Sequence, residues 1–305
     1  MIVELSGGLG NQMFEYAAAR YVQLQNGDEI RFNLYPFRND PQREYSLGHF
    51  ALDRECKKLT NLGAFGRGTW SEFLCHLYHR MGLTRGEQSF RKLASRKLLL
   101  TFDVYKHYPI DASVKGYYWK GNFQSEKYFP GIKWVLQKDF KLTEELSPEA
   151  QAIVSKMREG NSVCVHIRRG DYVTNPVDHK ILNLCDETYY RKAMEYVSSQ
   201  VENPTFYVFS NDESDLLWIQ DNYSLPGNII YVNLKQPDYM ELSVMSQCKH
   251  FIISNSTFSW WAQYLAENEG KVVVAPSIWY NGDMQDASDI YDKNWHLFDV
   301  SGDKA

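Results

Sequence analysis

The strongest constraint on the fold is a regular alternation of helix-like and strand-like segments from residue 147 onward. Helical periodicity covers residues 147–158, 187–200, 213–222, 238–248 and 257–268. Short apolar runs separate these segments, at residues 162–168, 205–210, 229–233, 251–254 and 271–275. Alternation of this kind is typical of parallel strands joined by helices. We therefore predict an α/β chain with a doubly wound parallel sheet in this half.

The N-terminal half begins in the same way and then becomes irregular. Its first elements are predicted as a strand at 2–5, a helix at 11–26 and a strand at 29–33. Residues 35–120 have only loose periodicity, which indicates loops and helices built onto a smaller sheet. Gly160 offers a helix stop. We predict two domains, 1–158 and 159–305, that face each other across a cleft at the carboxyl ends of their strands.

Composition excludes several classes of protein. The chain of 305 residues has room for two domains, and its net charge of −5 with a pI near 5.9 argues against a nucleic-acid-binding protein. Its five cysteines are scattered without a C-x-x-C pair, which favours neither a disulfide framework nor a zinc site. With no signal peptide pattern and no membrane-spanning stretch, we expect a cytoplasmic protein.

One basic stretch, Arg80 to Lys106, has two interpretations. Phe90, Leu93 and Leu98 to Leu100 are interspersed among its basic residues. Such a segment can lie on an anionic membrane surface, which would give peripheral contact with the inner membrane. The alternative is a solvated helix face.

The hexapeptide from His166 to Asp171 is the motif that most strongly indicates chemistry. It follows an apolar strand, so Arg168 and Arg169 stand at a strand end, where open α/β sheets bind ligands. Arginine suits phosphate, and Gly170 permits a sharp turn. These features indicate an anionic ligand. The alternative is a surface salt bridge between Arg169 and Asp171.

A glycine-rich loop, Ser6 to Gln12, lies between the first strand and the first helix. Glycines and helix-start N–H groups commonly hold an anion at such a position. The loop is not a dinucleotide fingerprint, because Met13 stands where the last glycine of that motif would be. The alternative is a tight turn.

Polar residues also follow two strands of the C-terminal half. Asn211 or Asp212 can cap the next helix or bind a nucleobase or ribose. Ser254 to Thr257 supplies more hydroxyl and amide groups than one N-cap needs, which indicates a pyrophosphate cradle. Trp260 and Trp261 are expected in the core. No D-x-D or H-E-x-x-H motif occurs, so a metal site is not expected and arginine would meet the phosphate charge.

Taken in order along the chain, these motifs resemble the α-1,2-fucosyltransferases of glycosyltransferase family 11. The matching segments are Gly7 to Phe14, Gly121 to Phe129, His166 to Asp171, Ser210 to Asp212, and Asn255 to Trp261. The resemblance implies a GT-B fold of two facing Rossmann-like domains. It implies metal-independent, inverting transfer from GDP-β-L-fucose, without a cofactor, to the 2-hydroxyl of a terminal β-galactoside. Bacterial members build surface polysaccharides or host-like antigens.

The same resemblance implies roles for individual residues. Arg168 would bind the donor's β-phosphate, and Arg169 would support Arg168 or the fold. His166 and Asp212 would bind the guanine and ribose end, and Ser256 with Thr257 would bind the diphosphate. From the irregular sequence of residues 35–120, we expect that region to form the acceptor pocket. The expected donor-binding residues are Gly8, Gly10, Asn11, Gln12, His166, Arg168, Arg169, Asn211, Asp212, Ser254, Asn255, Ser256, Thr257 and Phe258. The expected catalytic residues are Arg168 and Asp171.

The catalytic base and the exact activity stay open at this point. Asp171, Asp178 and His179 lie on or just after the motif loop, and Asp171 is placed first because the motif fixes it. Asp171 can instead orient an arginine, and an oxocarbenium-like transition state can need little from a base. Two other functions compete: a fucosyltransferase of another linkage, and a non-catalytic glycan-binding protein favoured by the aromatic content.

Overall fold

The structure is a computed structural model that describes residues 1–40, 43–52, 57–59, 70–282 and 286–300. It divides into unit 1, Met1–Thr143 with Met284–Tyr291, and unit 2, Glu144–Asp283 with Asp292–Ala305. Each unit contains one parallel sheet, so the prediction of an α/β chain with two sheet-based halves is confirmed. The main boundary follows residue 143 rather than 158, because the helix at 148–159 packs on the first strand of unit 2.

Unit 1 is built on a five-stranded sheet. Its strands are β1 (Ile2–Glu4), β2 (Arg31–Asn33), β3 (Lys57–Leu59), β4 (Leu98–Leu100) and β5 (Tyr118–Lys120). Its helices are α1 (Leu9–Asn26), α2 (Trp70–Arg80), α3 (Glu87–Ala94) and α4 (Lys133–Asp139). The strand order is β3-β2-β1-β5-β4, with every pair parallel. The predicted first strand, first helix and second strand are confirmed.

Part of the irregular N-terminal region folds around the apolar residues of the basic stretch. Phe90, Leu93 and the three leucines of β4 are at most 3% exposed. They therefore pack in unit 1 and are not available to a membrane surface. Within the ranges the structure describes, no helix is long and apolar enough to cross a membrane. Of the expected acceptor region, residues 41–42, 53–56 and 60–69 lie outside the described residues.

Unit 2 is built on a six-stranded sheet. Its strands are β6 (Asn161–His166), β7 (Pro204–Phe209), β8 (Asn228–Tyr231), β9 (His250–Ile252), β10 (Val273–Pro276) and β11 (His296–Phe298). Its helices are α5 (Pro148–Glu159), α6 (Asp171–Thr174), α7 (Pro176–Leu182), α8 (Glu187–Gln200), α9 (Glu213–Asn222), α10 (Asp238–Met245) and α11 (Thr257–Leu265). All five predicted strands and all five predicted helices of this half are present.

The strand order of unit 2 locates its ligand-binding edge. The order is β11-β10-β9-β6-β7-β8, which is that of a Rossmann sheet and reverses between β6 and β9. Ligands bind such sheets at the carboxyl ends of the strands beside the reversal. Val165 of β6 lies opposite both Val208 of β7 and Ile252 of β9, so the three strands end at one level.

Side chains of β6 alternate between the two faces of the sheet, and this alternation positions the motif from His166 to Asp171. Val163, Val165 and Ile167 are buried in an apolar core with residues of α8, including Tyr190 and Met194. Arg168, which follows Ile167, then lies at the carboxyl edge of the sheet. The core assignment of the two tryptophans of α11 is also confirmed, because Trp260 is 2% exposed and Trp261 is fully buried.

Candidate functional site

Arg168 lies at the carboxyl end of β6 with its guanidinium fixed on two sides. Nη2 donates to Oδ1 of Asp171 at 2.5 Å, and Cζ lies 5.2 Å from the ring centroid of Tyr172. Nε is buried and has no hydrogen-bond partner among the described residues. Buried donors are nearly always paired in folded proteins. The geometry therefore presents a fixed cation whose buried Nε–H is unused within the described ranges, which suits an incoming anion.

Arg169 instead stabilises the loop. Its Nε donates to Oδ1 of Asp215 at 3.1 Å, and its Cζ lies 3.4 Å from the ring centroid of Trp218. Both partners come from α9, so this arginine fastens the loop to the next helix. The alternative pairing of Arg169 with Asp171 is wrong, because Asp171 pairs with Arg168.

Gly170 turns the chain in a conformation that favours glycine. Its φ is +41°, and a Cβ built there would lie 2.7 Å from Nδ2 of Asn211. The Asn211 amide oxygen accepts the backbone N–H of Arg169 at 2.9 Å, while the Gly170 N–H donates to Asp215. The predicted sharp turn is confirmed, and the Asn211 side chain holds it in place.

The end of β7 supplies a helix cap. Asp212 accepts hydrogen bonds from the hydroxyl of Ser214 at 2.7 Å and from the backbone N–H of Asp215 at 2.9 Å. These bonds lower the pKa of Asp212, the hydroxyl having the larger effect. The capping interpretation of Asp212 is therefore confirmed, and its contact with a ligand stays a prediction.

His166 lies beneath the loop and is 2% exposed. Its Nδ1 is 2.5 Å from the hydroxyl of Ser259 and 3.3 Å from that of Ser254. Burial lowers the pKa of His166 to about 3, and the charge of Arg168 acts in the same direction. The imidazole is therefore neutral near pH 7 and links β6 to the start of α11.

The end of β9 joins several segments. Ser256 caps α11 by accepting the N–H of Phe258 at 3.3 Å. The Asn255 amide donates to the carbonyls of Leu182 at 2.9 Å and Trp279 at 3.0 Å, so it holds two loops together. The positive end of the α11 dipole thus lies at the same sheet edge as the Arg168 loop.

In unit 1, Gln12 organises the glycine-rich loop. Its amide nitrogen donates to the carbonyls of Gly7 at 3.1 Å and Glu44 at 2.8 Å, and its amide oxygen accepts the N–H of Ser46 at 3.0 Å. The side chain is fully buried. Gln12 therefore supports the loop from within unit 1. Gly8 is the N-cap of α1, and Gly10 lies in its first turn.

The same loop is joined to the Gly121 to Phe129 segment. The amide of Gln124 donates to Oδ1 of Asn11 at 3.0 Å. Behind the loop, buried Glu15 accepts the backbone N–H of Ser6 at 3.0 Å and its hydroxyl at 2.9 Å, and burial raises the pKa of Glu15. The glycine-rich loop and the Gly121 to Phe129 segment, which are separate motifs in the sequence, are therefore in contact in the fold.

Sequence reasoning missed several residues that shape the unit 2 site. Tyr172 lies beside Arg168, Ser259 contacts His166, and Asp215 and Trp218 hold Arg169. Asp212, Asp215 and Trp218 are spaced three apart, which places them on one face of α9 and was the available signal. In the part of the chain that the structure covers, no three His, Cys, Asp or Glu side chains converge as a metal site.

The fold and the arginine loop define a Rossmann-type unit that suits an anionic ligand. Residues 100–299, well over half of the chain, match the model of Glycosyl transferase family 11. The chain therefore belongs to glycosyltransferase family 11, as its motifs predicted.

Three relatives are similar in sequence. An alpha-1,2-colitosyltransferase of Escherichia coli is 29% identical over 303 residues, covering 97% of each chain. The O-antigen biosynthesis glycosyltransferase WbnK of Escherichia coli is 29% identical over 298 residues, covering 91% of this chain and 94% of that one. Galactoside alpha-(1,2)-fucosyltransferase 1 of Saimiri boliviensis boliviensis is 29% identical over 149 residues, covering 46% of this chain and 40% of its own length.

Among solved structures, the fucosyltransferase NodZ from Bradyrhizobium is similar with a TM-score of 0.49 and 11% identity. The match covers 87% of this chain and 92% of NodZ.

Proposed function

We propose that this glycosyltransferase transfers L-fucose from GDP-β-L-fucose to the 2-hydroxyl of a terminal β-galactoside, with inversion and without a metal ion. The observation that carries the proposal is the buried Nε of Arg168 at the reversal of the unit 2 sheet, which has no hydrogen-bond partner in the part of the chain that the structure describes. A nucleoside diphosphate leaving group is the anion that this position suits in a sugar-transfer enzyme.

In this proposal Arg168 stabilises the leaving group. Negative charge develops on the β-phosphate as the bond to fucose breaks, and a fixed guanidinium binds that charge more strongly in the transition state than in the ground state. Asp171 and Tyr172 hold the guanidinium in place beforehand, so little reorganisation is needed. Arg168 would thereby perform the task of a divalent cation in metal-dependent nucleotide-sugar enzymes.

The role of Asp171 follows from its contact. One carboxylate oxygen accepts from Arg168 at 2.5 Å, so we propose that Asp171 orients the arginine instead of taking the acceptor's proton. Asp178 and His179 of α7 are the other candidates for the base. Asn175 caps that helix, and Nδ1 of His179 lies 3.1 Å from the carbonyl oxygen of Tyr172.

The relatives support the finer assignment. Two of them carry an α-1,2 linkage in their names, one is named for a galactoside acceptor, and one for O-antigen biosynthesis. We therefore propose a role in bacterial surface polysaccharide or host-like antigen synthesis. A second candidate donor sugar is colitose, because the named colitosyltransferase matches along almost the whole chain.

The test is incubation of the purified protein with GDP-fucose and lactose, with and without EDTA, followed by NMR of the product. We expect an α-1,2-fucosylated product whose yield EDTA does not change. Another linkage would overturn the regiochemistry, and sensitivity to EDTA would overturn metal independence. Binding of lactose without binding of GDP would favour the glycan-binding alternative.

A further inference from the structure

Helix α2 of unit 1 is apolar on two sides, and one of these sides packs on the unit. Leu74, Cys75 and Tyr78 belong to an apolar cluster that also contains Leu93 of α3 and Leu98 of β4. This contact holds α2 against the rest of unit 1. A helix that is apolar on all sides is normally buried in the core of a protein. A second apolar side that stays at the surface is therefore a candidate interaction site.

The second side of α2 is a row of large, exposed apolar residues. Phe73, Leu77 and Met81 are spaced four apart, so they lie on one side of α2 and of the turn that follows it. Phe73 is 60% exposed, Leu77 41% and Met81 59%, and the nearby Leu83 is 38% exposed. Single exposed apolar residues are ordinary, whereas a contiguous group marks an interaction surface. We call these four residues the α2 patch.

Backbone hydrogen bonds fix the end of the α2 patch. The N–H of Met81 donates to the carbonyl of Leu77 at 3.0 Å, and the N–H of Leu83 donates to the carbonyl of Tyr78 at 3.0 Å. Gly82 lies between them with a φ of +70°, which lets the chain turn back onto the helix. The fold therefore displays the last two side chains of the patch at defined positions beside α2.

The segment that contains the α2 patch is strongly basic. Residues 72–97 include six Lys or Arg and two Glu, a net charge of +4, in a chain whose net charge is −5. Arg96 lies directly beside α2, since its Nη1 donates to the hydroxyl of Tyr78 and its Cζ lies 5.9 Å from that ring's centroid. Exposed positive charge and exposed apolar side chains are thus combined in one segment. The six exposed basic residues are Arg80, Arg85, Arg91, Lys92, Arg96 and Lys97.

Charge decides which partner suits this surface. Pairing with a second copy of the chain would place two positive segments together, which opposes association. An anionic lipid bilayer complements both features of the segment. Each Lys or Arg close to such a bilayer strengthens binding about fivefold, and apolar side chains enter the boundary between headgroups and acyl chains.

We propose that the α2 patch inserts into the surface of an anionic lipid bilayer and that the basic residues of segment 72–97 bind its headgroups. The inference does not depend on the proposed donor or linkage. It assigns membrane contact to residues that the sequence did not single out. Phe90 and Leu93, the apolar residues that the basic stretch offered for this role, are buried in unit 1.

The experiment is co-sedimentation of the whole protein with vesicles of phosphatidylcholine, with and without phosphatidylglycerol. The apolar variant carries Met81→Ser and Leu83→Ser, and its matched control is Trp134→Ser, which removes a 62% exposed apolar side chain from α4. The charge variant carries Arg80→Gln and Arg85→Gln, and its matched control carries Lys156→Gln and Arg158→Gln in α5. We expect about 30-fold weaker binding to anionic vesicles for the charge variant and about tenfold weaker binding for the apolar variant.

Both control variants should bind vesicles like the wild type, and added salt should weaken wild-type binding because it screens the charges. Melting temperatures close to that of the wild type show that the variants are folded. A wild type that does not bind anionic vesicles, or that binds neutral vesicles equally well, overturns the inference. So does unchanged binding in both the apolar and the charge variant. A wild type that forms dimers, and loses them in the apolar variant without binding vesicles, overturns it in favour of a second copy.

Vesicle binding needs neither donor nor acceptor, so its failure is distinct from failure of the proposed function. A protein that binds anionic vesicles but transfers no fucose keeps this inference and overturns the proposed reaction. A protein that transfers fucose but binds no vesicle does the reverse.

Discussion

The two adjacent arginines of the motif should respond differently to the same substitution. Arg168→Lys keeps a positive charge beside Asp171 but removes the planar fork and the Nε, which is unpaired as far as the described ranges show. Removing one preorganised donor to a developing anion typically costs about 100- to 1,000-fold in rate, or about 2.7–4 kcal/mol. Lysine keeps a cation beside Asp171, the guanidinium lies 5.2 Å from the Tyr172 ring against 3.4 Å between Arg169 and Trp218, and Nε has no partner to lose among the described residues. We therefore expect a smaller loss of stability than for Arg169→Lys.

Arg169→Lys is the matched control, one residue further along. Lysine cannot stack flat on Trp218, and it loses the Nε bond to Asp215. A stacking contact of about 0.5–2 kcal/mol and part of a charge-assisted bond are at stake, so we expect about 1–2 kcal/mol of destabilisation. That corresponds to a fall in melting temperature of about 2–8 °C.

The assay measures kcat/KM for GDP release with lactose as acceptor, alongside thermal unfolding of each variant. We expect Arg168→Lys to lose about 100- to 1,000-fold in activity, with a smaller fall in melting temperature than Arg169→Lys. For Arg169→Lys we expect less than about tenfold loss of activity at a lowered melting temperature. The opposite pattern, with Arg169→Lys inactive but stable, would refute the assignment of the phosphate contact to Arg168.

Two further predictions concern pH and the turn. The pKa of His166 is lowered to about 3, so below about pH 6.5 the unfolded chain binds a proton that the folded chain excludes. The free energy of unfolding should therefore fall by about 1.4 kcal/mol per pH unit as the pH drops below about 6.5. In denaturant titrations His166→Asn should remove this slope, whereas His250→Asn, at a half-buried site, should change the slope less. Gly170→Ala should destabilise the fold by more than Gly27→Ala, because a Cβ at Gly170 meets Asn211 while one at Gly27 has nothing within 4 Å. If the difference in unfolding free energy between the two variants stays the same in an Asn211→Ala background, the contact with Asn211 is not its cause.

The regular half of the fold was predictable because short apolar runs alternate there with helices long enough to show a helical period. The strands 161–166 and 204–209 and the helices at 187–200 and 213–222 lie within two residues of their predicted bounds. β11 was missed because its residues, His296 to Phe298, lie at the sheet edge and are not buried, so the sequence there shows no apolar run. β4 and β5 were missed because they lie in the region 35–120, where loose periodicity does not separate strands from loops.

The site was predictable in position but not in its pairings. The motif and the strand order place Arg168 at the sheet edge, because both are properties of local sequence and topology. Arg169 uses its Nε and its guanidinium face on Asp215 and Trp218, which approach from α9 across the loop. That Nε of Arg168, and not of Arg169, lacks a partner among the described residues therefore depends on these tertiary contacts.

A crystal structure of the protein with GDP tests the proposed role of Arg168 most directly. We expect the β-phosphate at about 2.7–2.9 Å from Nε of Arg168, the distance of a charge-assisted hydrogen bond. A diphosphate bound elsewhere, with Nε of Arg168 still unpartnered, would contradict the central claim that this arginine stabilises the leaving group.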